Sequence, residues 1–254
     1  VQCLVGSEMC IRDRTKDDPY YISAVGALGE GSSNSLSKDT DLALAIGTKL
    51  ADFTTGSWAN FENPNFKLVS VNTARYDTTK HLATPVISDA KVGLQKISEA
   101  LGDWKAPDDW YKRAIKEKNE WDAYVEKQSG PTNQEEPSYA HAVGAVYRNS
   151  DPSDIVVTAA GGLVGEVVQV WKPKQLNTFE TEWGFSCMGY EISGALGIKM
   201  AKPDQDVVVF VGDGSYLLNN TDIYSSVIYD QKLIIIVCDN CLLYTSPSPR
   251  DTAL

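Results

Sequence analysis

The stretch Val207-Val-Val-Phe-Val-Gly-Asp-Gly-Ser215 decides the fold of this chain. Residues 207–211 are apolar without alternation, as a strand buried on both faces of a parallel sheet requires. Gly212 and Gly214 flank Asp213, so the backbone can turn sharply at the strand end and come close to a phosphate. A second apolar run, 233–238, ends in Asp239-Asn240, which places Asn240 27 residues after Asp213. That interval holds a loop, a helix of about three turns and a return strand, the content of a βαβ unit. A carboxylate and an amide at the carboxyl ends of neighbouring parallel strands can share one octahedral Mg²⁺, with backbone, water and phosphate oxygens in the other places. The stretch is therefore read as half of a metal-diphosphate site.

Outward from it, the pattern predicts helices over 139–147, 164–171, 188–200 and 221–229 and strands over 155–158 and 233–238. Ala160-Gly-Gly-Leu163 follows the 155–158 strand, and its glycines suit a backbone approach to phosphate. These elements make a parallel-sheet domain over 136–240. Before it, residues 103–135 form a connector. Asp108 and Asp109 are cap candidates for a helix running to Gln128, with Trp110, Ala114, Trp121 and Val125 on one stripe and its charges on a solvated face. Ser129-Gly-Pro-Thr-Asn133 is a linker. Residues 15–102 read as a Rossmann-like central domain of the α/β class, with strands over 41–46, 67–71 and 85–87 and a helix over 88–101. Gly26-Ala-Leu-Gly-Glu-Gly31 invites a nicotinamide-binding oxidoreductase reading, but no strand precedes it and no distinctive acidic partner follows, so it is taken as a structural loop.

The chain has 254 residues, five cysteines and a formal net charge of -11. Its two ends stand apart from the rest. Codons can be chosen that make Leu4-Val-Gly-Ser-Glu-Met-Cys-Ile-Arg-Asp13 and Cys241-Leu-Leu-Tyr-Thr-Ser-Pro-Ser-Pro-Arg-Asp251 reverse complements, as a transposase sequencing adapter read from both ends of a DNA fragment would be. Residues 1–14 and 241–254 are therefore set aside as artefactual tails, and the remainder is expected to be an internal fragment. Cys187 and Cys238 remain, which indicates no disulfide framework and fits a reducing, cytoplasmic setting. An acidic chain without a Lys/Arg cluster argues against nucleic acid or an anionic membrane as partner, and no apolar run is long enough to span a bilayer.

The run Glu182-Trp-Gly-Phe-Ser-Cys-Met-Gly-Tyr-Glu-Ile-Ser-Gly-Ala-Leu-Gly-Ile-Lys-Met200, followed by Val211-Gly-Asp-Gly-Ser-Tyr-Leu217, resembles the thiamin diphosphate enzymes. Among them it is most similar to the cyclohexane-1,2-dione hydrolases that open an inositol-derived ring. Ile46-Gly-Thr-Lys-Leu-Ala-Asp-Phe-Thr-Thr-Gly-Ser57, Asn63-Pro-Asn65 and Lys80-His81 resemble the central domain of the same hydrolases. Acetolactate synthase-like carboligases and decarboxylases, the alternative within the superfamily, usually carry Met-Gly-Phe-Gly-Leu-Pro where this chain has Met188-Gly-Tyr-Glu-Ile192. A non-enzymatic Rossmann-like binding protein would keep the fold but leave Asp213 and Asn240 far apart.

The resemblance implies a role for each matching residue. Asp213 and Asn240 bind Mg²⁺. Ala160, Gly161, Gly162, Leu163, Gly212, Gly214 and Ser215 approach the diphosphate. Met188 is the apolar wedge that holds the cofactor bent, and the Ser186 carbonyl accepts from its aminopyrimidine. The implied reaction is hydrolysis of a carbon-carbon bond in a small polyhydroxylated cyclic diketone, trihydroxycyclohexane-1,2-dione, to 5-deoxyglucuronate in inositol catabolism. The activating Glu is expected in an amino-terminal domain outside this sequence, with the full-length protein a homodimer or homotetramer and the present chain inactive alone. His81 and His141 lack metal-spaced partners and are read as structural. Cys187 has no His placed to activate it and is read as a packing residue.

Overall fold

The computed structural model describes Asp18, residues 20–182 and residues 184–239. The two tails and Asn240, expected from the sequence to be a metal ligand, lie outside these residues, so the expectations placed on them are not addressed by the fold. The chain divides into two compact units, one reaching Tyr124 and one beginning at Val125.

In the first unit three short strands, β1 (Leu42–Ile46), β2 (Lys67–Asn72) and β3 (Thr84–Ile87), form a parallel sheet in the order β1-β2-β3. The register pairs Ile46 with Val71 and Val71 with Val86. Helix α1 (Gly31–Asp39) precedes the sheet, α2 (Asp52–Thr55) and α3 (Arg75–Thr79) lie in its crossovers, and α4 (Ala90–Leu101) follows it. Asp89 caps α4 by accepting from the amides of Lys91 and Val92, which is why the helix begins at Ala90 rather than at the expected residue 88. Helix α5 (Asp108–Gln128) takes in the acidic pair expected to precede it as caps, so Asp108 and Asp109 stand in its first turn. Its Ala114 and Trp110 pack with Ile22 and Leu36, so this part of the connector is integrated into the first unit's core.

Helix α1 has a single apolar residue, Leu36, and periodicity does not announce it. Tertiary bonds select it instead: the Ser33 hydroxyl donates to the Ala24 carbonyl and the Ser32 hydroxyl to the Ile22 carbonyl. In the glycine loop before it, a Cβ on Gly26 would lie 2.1 Å from the Phe53 carbonyl oxygen, and one on Gly29 would lie 2.6 Å from that of Ala24. Those glycines are demanded by the chain's own backbone, which accounts for the motif without a dinucleotide.

The second unit holds helix α6 (Tyr139–Arg148), strand β4 (Ile155–Thr158), helix α7 (Leu163–Val170), strand β5 (Phe179–Thr181), helix α8 (Tyr190–Ala201), strand β6 (Val207–Gly212), helices α9 (Asp213–Leu218) and α10 (Thr221–Ile228), and strand β7 (Ile234–Cys238). All four strands are parallel, in the order β5-β4-β6-β7. Both faces are covered, as the unbroken apolar run of β6 requires. Ile155, Val157, Val207, Val209 and Val211 pack with Ala195 of α8, while Phe210 meets Trp171 edge-on at the end of α7, 6.1 Å between ring centroids. Strand β5 was not anticipated because three residues give no period to detect. Pairing of Val156 with Phe179 and Thr158 with Thr181 creates it.

Candidate functional site

The order of the second sheet fixes where a ligand can sit. The chain passes from β4 to β5 on one side and from β6 to β7 on the other, so the connections leave the adjacent strands β4 and β6 in opposite directions. In open parallel sheets that reversal opens a crevice at the carboxyl ends of the two strands. Residues 159–162 follow β4 and residues 213–215 follow β6, so the two segments singled out from the sequence border this one crevice.

At the end of β6, Gly212 is the N-cap and Asp213 the first residue of α9. The Asp213 Oδ2 atom is buried and has no hydrogen-bond partner. A carboxyl oxygen withdrawn from water without a donor is costly, and a cation is one group that would satisfy it. Cβ atoms built on Gly161, Gly162 and Gly212 would meet nothing within 4 Å, and Gly161 has φ +77°. Backbone is thus presented to open space on both sides of the crevice, the feature a diphosphate cradle needs. These residues fit a metal-diphosphate group. Among the described residues no cluster of three or more His, Cys, Asp or Glu is placed to hold a metal. The register sets Gly212 opposite Cys238, so β7 delivers the chain to the same level just before Asn240.

Other expected positions fall into distinct environments. Leu163 begins α7 with its side chain in the core, which leaves only its backbone for a ligand. Ser215 is buried in α9. The Ala160 amide donates to Glu191 Oε1 at 3.1 Å, so this amide is already occupied. Helix α8 starts at Tyr190 rather than at the expected residue 188, because Ser186 at φ 50° and Gly189 at φ 97° are incompatible with helical geometry. Met188 therefore stands in a turn, 47% exposed, where an apolar side chain is available to a ligand rather than used by the core.

That turn is built by carboxylates. Glu182 Oε1 accepts the Phe185 amide at 2.8 Å and Oε2 accepts the Cys187 amide at 2.9 Å. Desolvation pushes the Glu182 carboxyl up, but the amides of Cys187, Phe185 and Gly184 outweigh it and hold its pKa below the ordinary value. Cys187 is exposed rather than packed as expected, and its thiol is pushed up by desolvation and by the Glu182 charge, the opposite of what a nucleophile requires. Gly189 is obligatory, since a Cβ there would lie 2.6 Å from Asn219 Cβ. Asn219 in turn donates to Ser193 Oγ at 2.7 Å, and Ser193 donates to Asp222 Oδ2 at 2.5 Å. Sequence reasoning missed Glu182, Glu191 and Asn219 as parts of the site, because each acts through a backbone amide or a neighbour that no motif spacing displays.

The histidines have structural roles. His141 completes a capping box with Ser138 at the start of α6. His81 lies against Trp58, 4.5 Å between ring centroids, with Nε2 3.1 Å from the Leu50 carbonyl oxygen.

A parallel sheet with a Gly-Asp-Gly turn, an orphaned carboxylate and an open glycine loop at its switch point defines a diphosphate-cofactor enzyme domain. The family described as "Thiamine pyrophosphate enzyme, C-terminal TPP binding domain" matches residues 159–245, and "Thiamine pyrophosphate enzyme, central domain" matches residues 14–97. The chain belongs to the thiamine pyrophosphate enzymes. It is 33% identical over 246 residues to the 3D-(3,5/4)-trihydroxycyclohexane-1,2-dione hydrolase of Geobacillus thermodenitrificans, covering 87% of this chain and 38% of that protein. The hydrolase of the same name from Clostridium tetani is 35% identical over 243 residues, 86% of this chain and 38% of that one. That from Lacticaseibacillus casei is 32% identical over 248 residues, 89% and 39%. The chain thus spans well under half the length of these curated relatives. Among the described residues no helix is long and apolar enough to cross a membrane.

Proposed function

We propose that this chain supplies the diphosphate- and Mg²⁺-holding part of an enzyme that hydrolyses a carbon-carbon bond in a small polyhydroxylated cyclic 1,2-diketone. The observation that carries the reading is the buried, partnerless Asp213 Oδ2 at the same end of the sheet as the open glycines 161, 162 and 212. Asp213 would hold Mg²⁺ together with Asn240, and backbone at Gly161, Gly162, Gly212, Gly214 and Ser215 would receive the diphosphate. Met188 would brace the cofactor, and the Ser186 carbonyl would accept a hydrogen bond from its amine. When bound, thiamin diphosphate supplies the nucleophilic carbon and electron sink for breaking a bond next to a carbonyl. The names of the relatives support a cyclic dione as substrate, and Glu191 in place of the carboligase glycine disfavours the carboligase alternative. Inositol catabolism in the cytoplasm and a homo-oligomeric full-length enzyme complete the proposal; the free thiols Cys187 and Cys238 suit that compartment.

Calorimetric titration with thiamin diphosphate tests it. Weak, saturable binding is expected that requires Mg²⁺ and disappears in Asp213→Ala, with no dione hydrolysis by the 254-residue chain alone. Binding that survives both chelation and the substitution would place the site elsewhere.

A further inference from the structure

Glu191 is 1% exposed and lies in the first turn of α8. Its two oxygens serve two different segments: Oε1 accepts the Ala160 amide at 3.1 Å, and Oε2 accepts the Gly189 amide at 2.9 Å. The first segment, 159–162, carries the open glycines after β4; the second, 186–189, carries Ser186 and Met188. A second bond joins the same pair, from Ser186 Oγ to the Ala159 carbonyl oxygen at 3.3 Å. In the second segment Ser186, a non-glycine residue, lies in the left-handed region at φ 50°, so that turn does not hold its shape by local preference alone. An ionised carboxylate has acceptors on both oxygens and no donor, so it can receive both amides. A Gln offers one acceptor and turns its NH₂ against the second amide, and an Asp is one methylene shorter.

We propose that Glu191 is a positioning residue whose carboxylate sets the spacing between the diphosphate-side loop and the Ser186–Met188 turn. This rests on the reading of the crevice as a thiamin diphosphate site. A ligand that uses only the glycine loop is indifferent to that spacing. One that reaches from the glycine loop to Met188 depends on it. Glu191 touches neither cofactor nor substrate; it determines whether both ends of a long ligand can be engaged together.

The experiment uses the full chain and its Glu191→Gln, Glu191→Ala and Ser186→Ala variants. Three quantities are measured: amide exchange at Ala160 and Gly189, the melting temperature, and affinity for two probes, Mg²⁺-pyrophosphate and Mg²⁺-thiamin diphosphate. In Glu191→Ala both amides are expected to exchange about tenfold faster or more. Thiamin diphosphate affinity is expected to fall about tenfold while pyrophosphate affinity stays within about twofold. Glu191→Gln should show the same pattern more weakly, and combining it with Ser186→Ala should give a non-additive loss because both act on one pair of loops. Unchanged exchange, or an equal loss of both probes that follows the melting temperature, would overturn the proposal. Should Glu191→Ala not fold, Glu191→Gln and Ser186→Ala give the same contrast. Binding of neither probe by the wild-type chain would instead remove the cofactor reading, whatever the exchange rates show.

Discussion

At the scale of single residues, the site keeps groups that lower the stability of the fold. Asp213 Oδ2 is buried without a donor, and such an atom costs about 1–3 kcal/mol when nothing satisfies it. Asp213→Ala is therefore expected to melt at the same temperature or higher than the wild type while losing Mg²⁺-dependent binding. A fall in stability of more than about 1 kcal/mol in thermal denaturation would mark Asp213 as structural instead. Gly189 is held at φ 97° with no room for a Cβ, so Gly189→Ala should destabilise by about 1–3 kcal/mol. Denaturant unfolding measures it, and a neutral effect would contradict the packing against Asn219. Glu182 supplies a pH dependence. Its folded pKa lies below the ordinary value, so its contribution is complete above the usual carboxylate range and is lost as pH falls through the lowered value. Protection of the Phe185 and Cys187 amides should be constant near neutrality and collapse only below the ordinary carboxylate range. Loss of protection near neutral pH would refute that assignment.

At the scale of elements, caps and turns decide boundaries that periodicity leaves open. Asp89 satisfies two amides at the start of α4, and Asp89→Ala should cost about 1 kcal/mol in thermal or denaturant unfolding, with Asp89→Asn recovering most of it. Equal stability of Asp89→Ala and wild type would show that the helix end is satisfied by water. The start of α8 illustrates the opposite case. Apolar spacing extends the helix back to residue 188, but Gly189 at φ 97° interrupts it, and the resulting turn lifts Met188 out of the core. Helix α1 depends on distant carbonyls at Ile22 and Ala24, and its composition alone would leave it unformed.

At the scale of the whole molecule, the site belongs to the second unit, since its segments at 159–162, 186–191 and 212–215 all follow Val125. Hydrogen exchange with and without Mg²⁺-thiamin diphosphate should therefore show new protection in those segments and none in the sheet of β1, β2 and β3. Protection of comparable size in that sheet would point to a ligand site in the first unit. Ligand that binds the native state alone also raises the melting temperature in proportion to the logarithm of its concentration, so the same titration is readable by heat.

The sequence by itself determined the class of the fold and the ends of its principal strands. The apolar runs at 155–157 and 207–211 call for burial on both faces and are buried throughout, whereas the run ending at Cys238 forms an edge strand and stays partly exposed; the glycines beside Asp213 suit a turn at a strand end. It also named Gly161, Gly162 and Asp213, because backbone access and a lone carboxylate are properties of residue type. Tertiary structure alone decided the rest. The order β5-β4-β6-β7, which brings residues 159–162 and 213–215 to one crevice, depends on pairings between residues about fifty positions apart in the chain. The burial of Asp213 Oδ2 and the two-loop grip of Glu191 depend on which atoms those pairings bring within hydrogen-bond reach. Side-chain type and spacing carry no record of that distance, and only the assembled sheet supplies it.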